Sequence, residues 1–196
     1  MNERGRVKME LVMQHYTVRV IPLVLAFSTL WAGQPVPTGA PGVQNFHEVN
    51  DHIYRGAQPT SEGFKSLATI GVRTIIDLRS GKELRREEQQ IVEKQGMHYV
   101  HIPLAGMAAP SDQQIATAFA VLNDPTAWPV FVHCRRGADR TGTVIACYRI
   151  AHDHWDNEKA LREARLQGMS RIEHAMQQYV LHFQPPPSLE SKISSN

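Results

Sequence analysis

Between residues 46 and 183 the apolar positions switch between short or alternating runs and repeats of three to four, the pattern of strands separated by helices. Residues 46–54 (FHEVNDHIY) hold enough β-branched and aromatic residues for one or two short strands about an Asn50-Asp51 turn. Thr60 or Ser61 can cap a helix that puts Phe64, Leu67 and Ala68 on one face, and Gly71 ends it. Residues 72–78 (VRTIIDL) form the clearest strand. Residues 82–95 are highly charged but set Leu84, Ile91 and Val92 at helical intervals before Gly96. Residues 98–102 predict a strand that stops at Pro103, and Ser111 opens a helix with Ile115, Ala118, Phe119 and Leu122 inward. Residues 130–133 (VFVH) read as a strand buried on both faces. Further helices are predicted from Arg140 to about Trp155, over 157–168 and over 170–183. In the last, Ile172, Ala175, Met176, Tyr179 and Phe183 fall at core-stripe spacing. The alternation predicts an α/β fold: a mostly parallel central sheet of about four to five strands flanked by helices.

Composition narrows the classes. A chain of 196 residues suits one compact domain whose core needs no staples, and 42% hydrophobic residues exclude a largely disordered one. Two cysteines, Cys134 and Cys147, can build neither a disulfide scaffold nor an all-cysteine zinc site. The scattered histidines suggest no metal site, and His152-Asp153-His154 reads as solvated helix surface. The net charge of +2 lies wholly in residues 1–33, so residues 34–196 are balanced and give no general attraction to nucleic acid. Residues 20–32 are an uncharged, mostly apolar run behind a basic stretch, shorter than the roughly 20 residues that span a bilayer. The expected organisation is a signal peptide or N-terminal anchor over 1–33, a Pro/Gly-rich linker over 34–44, a folded domain over 45–184 and a flexible tail over 185–196. Export to the periplasm follows if the segment works as a signal, and a cytoplasmic location if it does not. Any membrane contact would come through that segment left uncleaved.

Residues 130–142 (VFVHCRRGADRTG) concentrate the chemistry. A buried strand delivers Cys134 to a short loop, and a helix begins where the loop ends. Backbone N–H groups in such a turn converge at the helix N-terminus, an anion site by dipole and by unsatisfied donors. A cysteine held there is expected as thiolate. Gly137 allows φ > 0 and close backbone approach, and Arg140 can return a planar fork to the same anion. Thr141 can give the sulfur a hydroxyl hydrogen bond.

These residues match His-Cys-x-x-Gly-x-x-Arg-Thr-Gly, and the chain resembles the cysteine-dependent protein tyrosine phosphatase superfamily. Upstream, Asn45-Phe-His-Glu-Val, Ile53-Tyr-Arg-Gly-Ala-Gln-Pro59 and Gly71-Val-Arg-Thr-Ile-Ile-Asp-Leu-Arg79 look like the atypical dual-specificity phosphatases of plants, fungi and bacteria. The resemblance covers roughly residues 45–155 and implies a dual-specificity-like fold that hydrolyses phosphomonoesters through a phosphocysteine, without metal or cofactor. Cys134 would be the nucleophile and Arg140 the clamp on the equatorial oxygens. Arg135, Arg136, Gly137, Ala138, Asp139 and Thr141 would bind the phosphoryl group, and His133 would orient the loop.

The leaving group also needs a proton. The loop over residues 104–110 has no carboxylate where many relatives carry one. Asp112 is the first candidate acid, with helix capping as its other reading, and Asp139 the second. Asp77 reads as structural. Arg55 and Gln58 either line the pocket or fix a strand end, and Cys147 reads as a small buried side chain. The expected substrate is a phosphorylated protein, above all phosphotyrosine, or a small phosphorylated molecule, acted on by a monomer. Inositol phosphates or pyrophosphates, and phosphate binding without turnover, are the alternatives.

Overall fold

Strand pairing follows from the two kinds of apolar run. In the computed structural model, which describes residues 39–81 and 86–185, one sheet has the strand order β1-β2-β5-β3-β4. β1 (His47–Asn50) and β2 (Ile53–Ala57) are antiparallel about the Asn50-Asp51 turn. β2, β5 (Val130–Cys134), β3 (Thr74–Asp77) and β4 (His98–His101) run parallel. Parallel neighbours need crossovers, and helices supply them. α1 (Ser61–Thr69), α2 (Arg86–Lys94) and α3 (Asp112–Leu122) lie between successive parallel strands, and α4 (Asp139–His152), α5 (Asn157–Leu166) and α6 (His174–His182) follow β5. The central strands β2, β5 and β3 are buried at every residue, whereas the edge strand β4 is only partly covered.

The helix starts are set by the residues expected to set them. Thr60 accepts from Gly63 N, and Ser111 forms a capping box with Gln114. Two hydrophobic clusters sandwich the sheet. Ile53, Ile76, Val130, Val132 and Cys134 belong to the one that includes residues of α3, α4 and α5. Tyr54, Ile75 and Phe131 belong to the one that includes residues of α1 and α2. Full burial of a side chain such as Phe131 or Leu67 contributes about 1.5–3 kcal/mol. α4 is buried over almost its whole length, so the helix that follows the cysteine loop is a core element.

Three expectations are corrected. Residues 39–44 are not spacer, because Ala40 and Val43 are buried and Thr60 N bonds to Gly42 O. α6 begins at His174 rather than 170, and its buried stripe is Met176, Gln177 and Val180, with Ile172 69% exposed and Glu173 buried in its stead. α4 ends at His152 rather than near Trp155. The readings for residues 1–33, for 34–38 and for the tail beyond residue 185 lie outside the described residues. Among the described residues no helix is long and apolar enough to cross a membrane.

Candidate active site

Period-two alternation in β5 decides which way each reactive side chain points. Cys134 follows Val130 and Val132 toward α3, α4 and α5, while His133 stacks on Phe131, 5.8 Å between ring centroids, on the α1/α2 side. The strand ends at Cys134, and α4 begins at Asp139.

The intervening loop is held from behind. Asn45 Nδ2 donates to Arg136 O at 3.4 Å and Gly137 O at 3.1 Å, and Gln58 N donates to Arg135 O at 3.3 Å. Arg55 Nη2 donates to Gly137 O at 2.7 Å. Across a trans peptide the carbonyl and the following N–H point opposite ways, so the N–H groups of Arg136, Gly137 and Ala138 face away from these donors. Gly137 has φ +67°, and a Cβ there would lie 2.2–2.4 Å from backbone atoms of Gly56 and Ala57. Only glycine lets the loop pack so closely on β2.

A cavity of about 270 Å³ lies over Cys134, with Arg135, Arg136, Asp139 and Arg140 in its walls. Gly106, Met107 and Glu173 complete the lining. The structure thus brings Cys134 and Arg140, each almost fully buried, into one concavity with the expected loop residues, and Gly137 and Ala138 form the turn between them. Asp139 is committed on both oxygens: Oδ2 accepts from Arg136 Nη2 at 2.5 Å and Oδ1 from Ser170 N at 2.8 Å.

Two site expectations do not hold geometrically. Asp112 lines a different concavity, of about 470 Å³, with Ile115, Phe119 and Tyr179, and its Oδ1 accepts from Tyr179 Oη at 2.7 Å. This first-turn carboxylate of α3 thus faces α6 instead of the cysteine loop. Thr141 is fully buried, and its Oγ1 has no hydrogen-bonding partner among the described residues, the sulfur of Cys134 included.

Charge around the site is arranged in depth. Arg55 has no solvent exposure, and burial pushes its guanidinium down to about 10, with Glu163 and Cys134 acting in the opposite sense. Among the described residues its Nε and Nη1 have no hydrogen-bonding partner, so a cation only partly bonded sits behind the loop. On the other face of the sheet, Arg79 Nη2 bonds Asp77 Oδ2 at 2.7 Å and also bonds Glu88. Tyr99 Oη donates to Asp77 Oδ2 at 2.7 Å, and Gln58 Nε2 to Glu88 Oε2 at 3.1 Å. Burial raises the Asp77 carboxyl, but the Arg79 hydrogen bonds prevail and hold it below the usual range. His133 Nε2 lies 2.9 Å from Glu88 Oε1, within ion-pair distance though outside hydrogen-bond alignment.

Asp77, Glu88 and His133 are close enough together to hold a metal ion, but the Arg79 guanidinium already bridges the two carboxylates. Asp77 is therefore structural, as expected, and so is Gln58. Cys147 is fully buried on α4, and burial pushes its thiol up. His152 Nδ1 sits 2.7 Å from Asp153 Oδ1 at the end of α4.

Sequence reasoning missed the work of Asn45, Glu88 and Glu173. Glu88 carried a readable signal, four residues after Leu84 and three before Ile91, which puts a carboxylate on the apolar stripe of α2. Asn45 and Glu173 act across 92 and more than 30 residues of sequence, and nothing local announces them.

Residues 34–182 match a family model described as DSP-PTPase phosphatase fused to NAD+ kinase. The chain is 31% identical over 109 residues to the inositol diphosphatase DSP2 of Oryza sativa subsp. japonica, covering 54% of this chain and 53% of that protein. It is 23% identical over 124 residues to the dual specificity protein phosphatase TpbA of Pseudomonas aeruginosa (strain UCBPP-PA14), covering 63% and 55%. The match thus spans about half the length of each relative. The catalytic core of the PP-IP phosphatase SIW14 from S. cerevisiae, solved with citrate, superposes with a TM-score of 0.69 at 24% identity, covering 81% of this chain and 96% of that one. That likeness is one of fold.

Proposed function

From a chain that belongs to the family of DSP-PTPase phosphatases described as fused to NAD+ kinase, we propose a cysteine-dependent phosphatase that hydrolyses phosphomonoesters through a phosphocysteine. The observation that carries this reading is the shared cavity of Cys134 and Arg140 at the N-terminus of α4. Cys134 sulfur attacks phosphorus in line, the S–P bond forms and the bond to the leaving oxygen breaks. The loop amides and the Arg140 fork hold the equatorial oxygens, the kind of charge stabilisation in which one lost donor costs roughly 10²–10³-fold in turnover. Water then displaces the sulfur. Arg55 and Asn45 keep the loop in the shape that presents its amides.

For substrate, we favour phosphotyrosine-bearing protein. Met107 lines the cavity and is 69% exposed, an apolar lip suited to an aromatic ring. An inositol phosphate or pyrophosphate is the second reading, supported by the likeness to the rice inositol diphosphatase and by the exposed Arg135 at the cavity. Against a polyanion stand Arg136, already paired with Asp139, and the Glu173 carboxyl within the same lining. We also propose export through residues 1–33, on the strength of the apolar run 20–32 behind a basic stretch.

Turnover of 4-nitrophenyl phosphate by the wild type, lost in Cys134→Ser, tests the activity. Equal turnover by both proteins would end the reading. A panel of phosphotyrosine peptides and inositol phosphates compared by kcat/KM decides the substrate class.

A further inference from the structure

Two carboxylates line the cavity over Cys134 among the described residues, and they differ in one respect. Asp139 has both oxygens bonded, whereas Glu173, 7% exposed, has Oε2 buried with no hydrogen-bonding partner. A buried oxygen without a donor is rare in native proteins and calls for a reason. Capping is not that reason, because Glu173 stands at the N-cap of α6 and its side chain makes no cap bond.

The turn that carries Glu173 is fixed on several sides. Ser170 N donates to Asp139 Oδ1 at 2.8 Å, which ties the turn to the first residue of α4. Gln177 Nε2 donates to Ser170 O and Arg171 O, each at 3.0 Å, and Gln177 Oε1 accepts from Arg165 Nε at 3.1 Å. Glu173 N bonds back to Ser170 O at 3.2 Å. A carboxyl with one buried, unpartnered oxygen is thus held on a braced turn in the lining of the nucleophile's cavity.

Resting on the phosphatase reading above, we propose that Glu173 is the proton-transfer residue of the reaction. As the S–P bond forms and the P–O bond to the leaving group breaks, the Glu173 proton passes to the leaving oxygen. The resulting carboxylate then takes a proton from the water that attacks phosphorus as the S–P bond breaks, which restores thiolate and carboxylic acid and releases phosphate. Asp139 is a positioning residue that locks the 170–173 turn against the loop.

The experiment compares wild type, Glu173→Gln and Glu173→Asp on a series of aryl and alkyl phosphates of rising leaving-group pKa. For 4-nitrophenyl phosphate, whose phenolate leaves unaided, Glu173→Gln is expected to lose little in kcat/KM, while kcat falls because hydrolysis of the phosphocysteine loses its base. Alkyl phosphates are expected to lose on the order of 10²-fold or more, with Glu173→Asp intermediate. The fall in kcat/KM with rising pH for the poor leaving groups should disappear in Glu173→Gln. Equal losses across the series, or no loss with alkyl phosphates, would overturn the assignment while leaving the phosphatase reading intact. If Glu173→Gln does not fold, Glu173→Asp and the wild type decide: a steep dependence on leaving-group pKa in the wild type, or the same dependence and the same rates in both, overturns the assignment. Absence of turnover by wild type on the whole series strikes the phosphatase reading instead.

Discussion

Arg55 Nη2 donates to the Gly137 carbonyl at 2.7 Å from a position with no solvent exposure. The bond ties β2 to the turn between nucleophile and clamp, and it leaves Nε and Nη1 unpartnered. Arg55→Met removes that hydrogen bond together with a buried charge and two orphaned donors, opposing effects of about 1–3 kcal/mol each. The urea midpoint is therefore expected to move little. Turnover of 4-nitrophenyl phosphate is expected to fall on the order of 10²-fold, because the loop amides lose their backing by a fraction of an ångström. Parallel losses of stability and turnover would mean that Arg55 serves the fold alone.

Gly137→Ala sets a Cβ against Gly56 and Ala57 backbone at 2.2–2.4 Å in a residue with φ +67°. Neither neighbour is the end of a flexible side chain, so the loop itself must shift. Strain of about 1–3 kcal/mol is expected in thermal unfolding, with turnover reduced far more than the stability change accounts for. A variant of normal kcat/KM would show that the loop tolerates displacement.

The two thiols are expected to separate by reactivity. Cys134 lines an open cavity, while Cys147 is fully buried and its thiol is pushed up by burial. Limited iodoacetamide treatment followed by peptide mass mapping should find the label on Cys134 and not on Cys147, with inorganic phosphate or vanadate protecting it. Labelling of Cys147 first would contradict the burial of α4.

What could be read from sequence was what is local in sequence. β5, the loop and α4 occupy residues 130–152, so strand, cysteine, turn glycine and arginine appear in order, and each carries its own physical signature. The Asn50-Asp51 hairpin and the helix start at Ser111 were legible for the same reason. Polar residues with core duties were not. Glu173 sits one position after Ile172, and helical periodicity favours the apolar residue, yet in the turn that Asp139 holds through Ser170 the glutamate is buried and the isoleucine exposed. Asp112 misled through proximity in sequence to the strand-end loop, a cue that the orientation of α3 overrides.

The Asp77 network supplies an acid-sensitive element of stability. Its carboxyl is held below the ordinary 3.8 by Arg79, with His133 and Tyr99 assisting against burial. A carboxyl depressed in the folded state contributes stability that is complete above its unfolded pKa and is lost as pH falls through the lower, folded value. Wild-type stability measured by urea unfolding should thus be flat above about pH 4 as far as this group is concerned, and should drop below it. Asp77→Asn is expected to be less stable at neutral pH and to show a shallower acid limb. An unchanged acid limb would assign the acid sensitivity to other carboxyls.

Asp112 gives the sharpest contrast with Glu173. Its Oδ1 accepts from Tyr179 Oη at 2.7 Å in the concavity between α3 and α6, and the Tyr179 phenol is raised by burial and by this hydrogen bond. Asp112→Asn keeps an acceptor for the phenol and removes only charge, so the stability cost should stay near or below about 1 kcal/mol. Since the side chain does not line the cavity over Cys134, kcat/KM is expected to match wild type with 4-nitrophenyl phosphate and with alkyl phosphates alike. Tyr179→Phe should behave in the same way. A selective loss with alkyl phosphates in Asp112→Asn would show that α3 delivers this carboxyl to the leaving oxygen in solution, and the proton-transfer role would then pass from Glu173 to Asp112.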